Sequence, residues 1–195
     1  MMSALVIPCL VAGVGVFVVS ALIWMVVRWH DRDIQQLPDE QSFVDAMKVQ
    51  GLCPGLYMWP HHGGDKQVLQ SPGFQERWKK GPWGVITICP RSPNYLRNLI
   101  GSLLINIAVA FGVGMSVGLV LGGVQLGAGV LVSCTACQIL LPTFILGSMA
   151  YCLGGLGTDL FLGKPSRFIG TSLLDGMIYA GVQAGLLFLL WPGLE

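Results

Sequence analysis

The stretch that decides the fold is Arg28-Trp29-His30-Asp31-Arg32-Asp33, where an apolar run ends and a charged segment begins. The preceding residues 4–27 contain no Asp, Glu, Lys or Arg. They are long enough to cross a hydrocarbon core, which needs about 20 helical residues. A cleaved signal peptide would carry its basic residues ahead of the apolar run, whereas here they follow it. The sequence therefore predicts a permanent transmembrane helix over 4–28.

Composition extends this interpretation to the whole chain. Of 195 residues, 53% are hydrophobic and only 11% are charged, whereas soluble domains carry roughly 25% charged residues. Three further apolar runs follow the charged segment, the first two separated by a short turn predicted at 122–126. The fold class expected is an all-α integral membrane protein with four transmembrane helices, at 4–28, 98–121, 127–152 and 168–191, and an interfacial link at 153–167.

Residues 29–97 are predicted to form a small α+β cap between the first two transmembrane helices. Proline, acidic and glycine signals place its helices at about 39–50 and 72–80. Short runs bounded by prolines place its strands at about 55–59 and 83–89. Because so small a layer buries little core, its tryptophans are expected to dock on a membrane surface or a partner. The docking candidates are Trp29, Trp59, Trp78 and Trp83.

The distribution of basic residues predicts the orientation. With four spans, all eleven Lys and Arg residues fall on the side that holds the cap and the 153–167 link. Basic residues close to helix ends favour the cytoplasmic side. The sequence therefore predicts a multi-pass protein of the bacterial inner membrane, with both termini outside and the cap in the cytoplasm.

Glycines at four-residue spacing suggest where the helices pack. Gly114, Gly118 and Gly122 form one such series, and Gly181 and Gly185 repeat the spacing in the fourth span. Small residues at this spacing let helix backbones approach closely inside a membrane. The alternative is that glycine is simply common in membrane spans, but the sustained spacing favours a packing face.

Four polar side chains lie inside the predicted spans. Asp175 is the notable one, because an intramembrane carboxylate is costly enough to be a functional hypothesis by default. It could serve a proton or ion pathway, or be a structural group paired with Thr171, Ser172 or Lys164. For Asn106, Gln138 and Gln183 we expect hydrogen bonds between helices.

Cysteine and histidine offer weaker sites. Cys134 and Cys137 form a CxxC within an apolar run, where packing is the expected role. A zinc site from Cys53, Cys89, His61 and His62 matches no standard spacing, so no metal is predicted. His30, beside Trp29 at a helix end, could ligate a haem or a pigment, or carry a proton. No cofactor is predicted, although a bound lipid or pigment is possible, and the common catalytic fingerprints are absent from the sequence.

Several motifs in residues 15–100 resemble a group of small bacterial inner-membrane proteins with four spans. The motifs are Trp29-His30 at the end of the first helix, Asp39-Glu40, Pro54-Gly-Leu-Tyr-Met-Trp-Pro60 and Gly81-Pro82. The resemblance implies the four-span fold. It implies no activity and assigns no functional residue.

Three functions remain open at this point. The first is a non-catalytic accessory or structural subunit of a larger membrane complex, with other subunits or copies of itself as partners and no nucleic acid. The second is a small proton- or ion-coupled transporter that uses Asp175. The third is a membrane redox or cofactor-binding protein that uses His30 or cysteines.

Overall fold

The computed structural model describes residues 3–127 and 135–192, without the side chains of 122–127 and 135–136. Four of its helices are long and apolar enough to cross a membrane, namely Ser3–Val27, Tyr95–Leu121, Cys137–Phe161 and Ser166–Leu189. Their regular parts are α1 (Val6–Leu22), α5 (Tyr95–Gly127), α6 (Thr135–Ser148) with α7 (Gly154–Phe161), and α8 (Ser166–Leu189). π-helical turns extend α1 over Ile23–Val27 and join α6 to α7 over Met149–Leu153.

The observed bounds differ from the predicted ones at two connections. The turn expected at 122–126 is helical, because α5 continues through Gly127; glycines that mark turns in soluble proteins are tolerated inside membrane helices. The link expected at 153–167 is helical up to Phe161, and non-helical backbone separates α7 from α8 only at 162–165. Residues 128–134, including Cys134, lie outside the described part of the chain.

The segment Gln36–Asn94 is a compact unit of its own, here called the cap unit. It contains α2 (Glu40–Val49), α3 (Lys66–Gln70), α4 (Pro72–Lys80) and two antiparallel strands, β1 (Gly55–Trp59) and β2 (Gly84–Ile88). The first turns of α2 and α4 are capped by the side chains of Asp39 and Ser71, which accept backbone N–H groups that a helix start leaves unpaired.

The four long helices form the second unit, in which α1 packs against α5 and α8, and α6 packs against α8 and α5. One half of this bundle has an apolar core of small, branched and aromatic side chains. Its members are Leu5, Cys9, Ala12, Ala110, Val117, Ile139, Leu187 and Trp191. Buried polar side chains of the described residues, such as His30 and Asp175, lie outside this core.

Close helix packing occurs at only some of the predicted glycines and at others that were not predicted. A Cβ at Gly181 or Gly185 would meet no atom within 4 Å, whereas a Cβ at Gly13 would lie 2.6 Å from Ile107 Cα. Gly114 does lie against another helix, since its Cβ would be 2.5 Å from Cys9 Sγ. The predicted packing face of the fourth span is thereby corrected, because spacing alone does not tell which side of a helix is covered.

Gly118 and Gly122 add nothing to the packing argument. Gly118 lies within α5, and its backbone is buried. Gly122 lies among the residues whose side-chain surroundings are outside the description. The close approach of α1 to α5 therefore rests on Gly13 and Gly114.

Candidate functional site

The site begins with an unusual helix end. The π-helical turn after α1 stops at Arg28, whose φ of +57° lies in the left-handed region and whose N–H donates to Ile23 O at 2.9 Å. This conformation is uncommon for a residue other than glycine. It reverses the chain into a 3₁₀ turn over Trp29–Arg32. The turn directs Trp29, His30 and Asp33 back toward α8.

His30 is held between two carboxylates. Its Nδ1 lies 2.9 Å from Asp33 Oδ2, and its Nε2 lies 2.9 Å from Asp175 Oδ2. Its side chain is 3% exposed, and those of Asp33 and Asp175 are 0% and 7% exposed. The Trp24 ring stacks on the imidazole with centroids 4.1 Å apart. We call Asp33, His30 and Asp175 the His30 triad.

Each carboxylate of the triad has further donors. Asp175 Oδ1 accepts from the Trp29 indole at 3.1 Å, and its Oδ2 also accepts from the Tyr179 hydroxyl at 3.2 Å. Asp33 Oδ2 accepts from the Thr171 hydroxyl at 2.7 Å, and its Oδ1 pairs with Arg167 Nε at 2.9 Å. The triad thus joins the end of α1 to the first three turns of α8.

The geometry limits how hydrogens can be shared within the triad. Both imidazole nitrogens face a carboxylate oxygen, so each of the two contacts needs one hydrogen. Two hydrogens satisfy both contacts, either on an imidazolium between two carboxylates or on a neutral imidazole beside one protonated aspartate. With Arg167 included, the formal charges then sum to zero. Loss of one proton would leave two lone pairs facing each other at 2.9 Å.

The pKa of Asp33 is lowered from its ordinary value of 3.8. The largest cause is the hydrogen bond from Thr171, and the His30 ring and the Arg167 guanidinium act in the same direction, while burial opposes them. A carboxyl whose pKa is lower in the folded state stabilises the fold above its unfolded pKa. This contribution is lost as the pH falls through the folded pKa.

Asp33→Asn is accordingly expected to weaken the pH dependence of stability in acid. Between about pH 5 and pH 2 the wild type should lose thermal stability more steeply than the variant, because only the wild type must protonate Asp33 to unfold. The thermal midpoint of detergent-solubilised protein measures this. Asp31→Asn, at an exposed neighbouring carboxyl, is the control and should keep the wild-type slope. Equal slopes for wild type and Asp33→Asn would contradict the assignment.

A cavity of about 610 Å³ lies beside the triad, between all four long helices. Trp24 of the first span, Arg97 near the start of α5, Tyr151 after α6 and Asp175 of α8 all line it. Arg97 and Asn98, which line it near the start of α5, are exposed. We call this cavity the vestibule. Asp175 therefore belongs to the buried triad and also lines a cavity large enough to hold solvent.

A row of polar side chains on α8 connects these features. The row consists of Arg167, Thr171, Asp175, Tyr179 and Gln183, which recur every four residues, so each lies beside the next while the row winds around α8 by about 40° per step. Tyr179 contacts the ring of Tyr151 edge to face, and the Tyr151 hydroxyl donates to Gln183 Oε1 at 2.9 Å. Gln183 is 0% exposed. The row leads from the triad toward the apolar half of the bundle.

The structure brings some predicted site residues together and leaves others apart. His30, Trp29 and Asp175 meet in one network, although sequence reasoning treated them separately. The expected partners of Asp175 are corrected: Thr171 bonds Asp33, and Lys164 pairs with Asp159 at 2.7 Å. Both ring nitrogens of His30 already face carboxylates, so ligation of a haem or a pigment would require one contact to break.

The remaining predicted polar residues serve other contacts. Asn106 is 7% exposed, lines the vestibule and donates to Ser102 O on its own helix at 3.0 Å, rather than to a second helix. Gln138 is half-buried on α6, and Cys137 is exposed. His61 and His62 use Nδ1 to accept the N–H groups of Gly63 and Gly64.

The predicted docking tryptophans of the cap unit are exposed. Trp59, Trp78 and Trp83 are 41%, 51% and 59% exposed, and the Trp83 indole donates to Trp78 O at 2.7 Å.

Among the described residues, no group of three His, Cys, Asp or Glu side chains is placed to hold a metal ion.

Comparison with known proteins adds no relative: no family model, no curated protein and no solved structure matches the chain.

Proposed function

We propose that the protein is a multi-pass membrane protein, and that it couples proton binding at the His30 triad to transport through the vestibule. The observation that carries the proposal is the double position of Asp175, which is hydrogen-bonded within the buried triad and also lines the vestibule. A carboxylate inside a membrane span is costly and is typical of proton or substrate pathways.

Among the described residues, the vestibule is a space that gives access to Asp175. The vestibule reaches Asp175, while the opposite half of the bundle is filled by the apolar core that includes Leu5, Val117 and Leu187. Between the two lies the polar row that ends at Gln183, whose Nε2 is buried without a hydrogen-bond partner among the described residues. A carboxylate that lines an open space and belongs to a row of polar groups running along a membrane helix suits a transport pathway.

The charges support reversible protonation. The triad with Arg167 is neutral when two protons are bound, and it carries one negative charge when one proton has left. Because the net charge changes in a poorly solvated place, release of the proton is linked to rearrangement of the contacts between the end of α1 and α8. We place the protein in the bacterial inner membrane, with both termini outside and the cap unit in the cytoplasm, on the distribution of Lys and Arg.

A pH jump on protein adsorbed to a solid-supported membrane tests this proposal without a known substrate. Proton entry to Asp175 moves charge into the bilayer, so the wild type should give a transient charge displacement. Asp175→Asn should reduce the transient to that of empty liposomes, and it should still fold, because its amide can donate to a neutral His30. Asp159→Asn, at the carboxylate paired with Lys164, is the control and should retain the transient.

Two outcomes would overturn the proposal: no transient from correctly folded wild type, or an unchanged transient in Asp175→Asn. In either case the accessory or structural subunit becomes the better reading. The observation that favours it is the exposed set of Trp59, Trp78 and Trp83 in the cap unit, since aromatic side chains are enriched at protein interfaces. A partner that stays bound through mild detergent extraction would support that second function.

A further inference from the structure

The cap unit carries an aromatic surface at the end of α4. Phe74 is buried, and the Trp78 ring stacks on it with centroids 5.8 Å apart. Gly81, with a φ of +67°, turns the chain so that the Trp83 ring lies against it and the Trp83 indole donates to Trp78 O at 2.7 Å. Both tryptophans nevertheless remain exposed. Two large rings are thus held in place by packing and backbone contacts and still present apolar surface to the outside.

The last turn of α4 adds positive charge beside these rings. Arg77, Lys79 and Lys80 are all exposed. Lys80 pairs with Glu76 at 2.7 Å, whereas Arg77 and Lys79 have no ion-pair partner among the described residues. Cations near a helix C-terminus also interact favourably with the helix dipole, so the charges alone have a structural explanation. That explanation does not account for the two exposed rings among them.

A lipid surface fits this arrangement better than a protein partner. Tryptophan is enriched at the membrane–water interface, and each Lys or Arg close to an anionic bilayer raises the surface affinity by about fivefold, whereas protein interfaces are depleted in lysine. The chain also enters a long apolar helix at Tyr95, directly after the cap unit ends at Asn94. A helix inserted there tethers the cap unit to a bilayer, so weak surface contacts suffice at the resulting high effective concentration.

We propose that the last turn of α4 and Trp83 bind a bilayer surface that contains anionic phospholipids. The rings of Trp78 and Trp83 lie at the headgroup level, and Arg77 and Lys79 contact lipid phosphates. This contact involves neither the vestibule nor the His30 triad. It rests on the proposed function only in that the long helices are inserted in a membrane.

Hydroxyl-radical footprinting of the full-length protein in nanodiscs tests the inference, because mass spectrometry reads the oxidation of each tryptophan separately. One set of nanodiscs contains phosphatidylcholine alone, and the other adds phosphatidylglycerol. Oxidation of Trp78 and Trp83 should be at least about threefold lower in the anionic set, since two cations together raise the surface affinity by roughly 25-fold. High salt should abolish the difference, because it screens the charges.

Matched variants show whether the basic side chains cause the protection. Arg77→Gln combined with Lys79→Gln should remove most of it, and the variant should still fold because both side chains are exposed. The control is Lys48→Gln combined with Arg91→Gln, which removes two exposed cations of the cap unit outside α4. This control should keep the lower oxidation in anionic nanodiscs.

Equal oxidation of Trp78 and Trp83 in the two sets of nanodiscs would overturn the inference, as would protection that persists in the variant lacking Arg77 and Lys79. Protection seen in native membrane vesicles but not in anionic nanodiscs would also overturn it, because a protein partner would then cover the rings. Footprinting needs no proton movement. It can therefore fail while the pH-jump transient persists, or succeed while that transient is absent, so the two proposals are separable.

Discussion

His30→Leu is expected to lower the free energy of unfolding by about 3–5 kcal/mol, because it removes the partner shared by two buried carboxylates. The imidazole is 3% exposed and its two nitrogens each lie 2.9 Å from an aspartate oxygen. Leucine has a similar volume but no donor. Asp33 and Asp175 would then keep only their other donors and would lose the imidazole that bonds both of them.

The matched control for this substitution is His61→Leu. His61 is exposed in the cap unit, and its Nδ1 accepts one backbone N–H from Gly63 at 3.0 Å. Losing that contact at an exposed site is expected to cost less than about 1 kcal/mol. Chemical denaturation of each purified variant gives the midpoint and slope of its unfolding curve. From these values the free energies of unfolding of the two variants are compared.

A double replacement sharpens the test. His30→Leu combined with Asp175→Leu removes both a donor and its acceptor, and buried ionic groups replaced together by apolar ones are often close to neutral. The double variant should therefore recover part of the stability lost in His30→Leu. If His30→Leu proves as stable as His61→Leu, or if the second replacement adds its full cost, the triad is not held as described.

The part of the site that α8 contributes could be predicted from the sequence. The polar residues Arg167, Thr171, Asp175, Tyr179 and Gln183 stand at uniform four-residue spacing, and that period alone makes each one a neighbour of the next along α8. We singled out Asp175 and Gln183 but not the row, because each polar residue was considered against its near neighbours in the chain. Tyr179 and Tyr151 were missed for the same reason, since tyrosine in an apolar helix is ordinarily a packing residue.

The part of the site that follows α1 could not be predicted from the sequence. Trp29, His30 and Asp33 reach α8 only because Arg28 adopts a left-handed conformation and starts a 3₁₀ turn. A charged residue after an apolar run signals the end of a helix, but it does not tell how the chain turns, which depends on the tertiary contacts that hold Arg28 at a positive φ. Partners 145 residues apart, such as His30 and Asp175, could not be paired from one sequence.

The ends of the transmembrane helices show a similar limit of prediction from the sequence. Four apolar helices follow from hydropathy because a span must satisfy its own backbone hydrogen bonds. Their ends do not, since the glycines near 122 favour a turn in water and are compatible with helix in an apolar setting. α5 therefore runs to Gly127, beyond the predicted end at 121.

Gly13→Ala and Gly185→Ala are expected to change stability in opposite directions, although both place alanine inside an apolar helix. A Cβ at Gly13 would lie 2.6 Å from Ile107 Cα and 2.9 Å from Ile107 N, and neither backbone atom can move unless α1 and α5 separate. Overpacking of this kind costs about 1–3 kcal/mol. A Cβ at Gly185 would meet nothing within 4 Å, so the higher helix propensity of alanine should stabilise α8 by up to about 1 kcal/mol.

The unfolding midpoints of the two alanine variants show which glycines matter for helix packing. They distinguish glycines chosen by their four-residue spacing from glycines that contact a neighbouring helix. A packing face at Gly181 and Gly185, as the glycine spacing suggested, would make Gly185→Ala the damaging change and leave Gly13→Ala mild. The close approach of α1 to α5 predicts the reverse. Since α1 delivers Trp24, Trp29 and His30 to the vestibule and the triad, Gly13→Ala should also diminish the pH-jump transient, whereas Gly185→Ala should leave it intact.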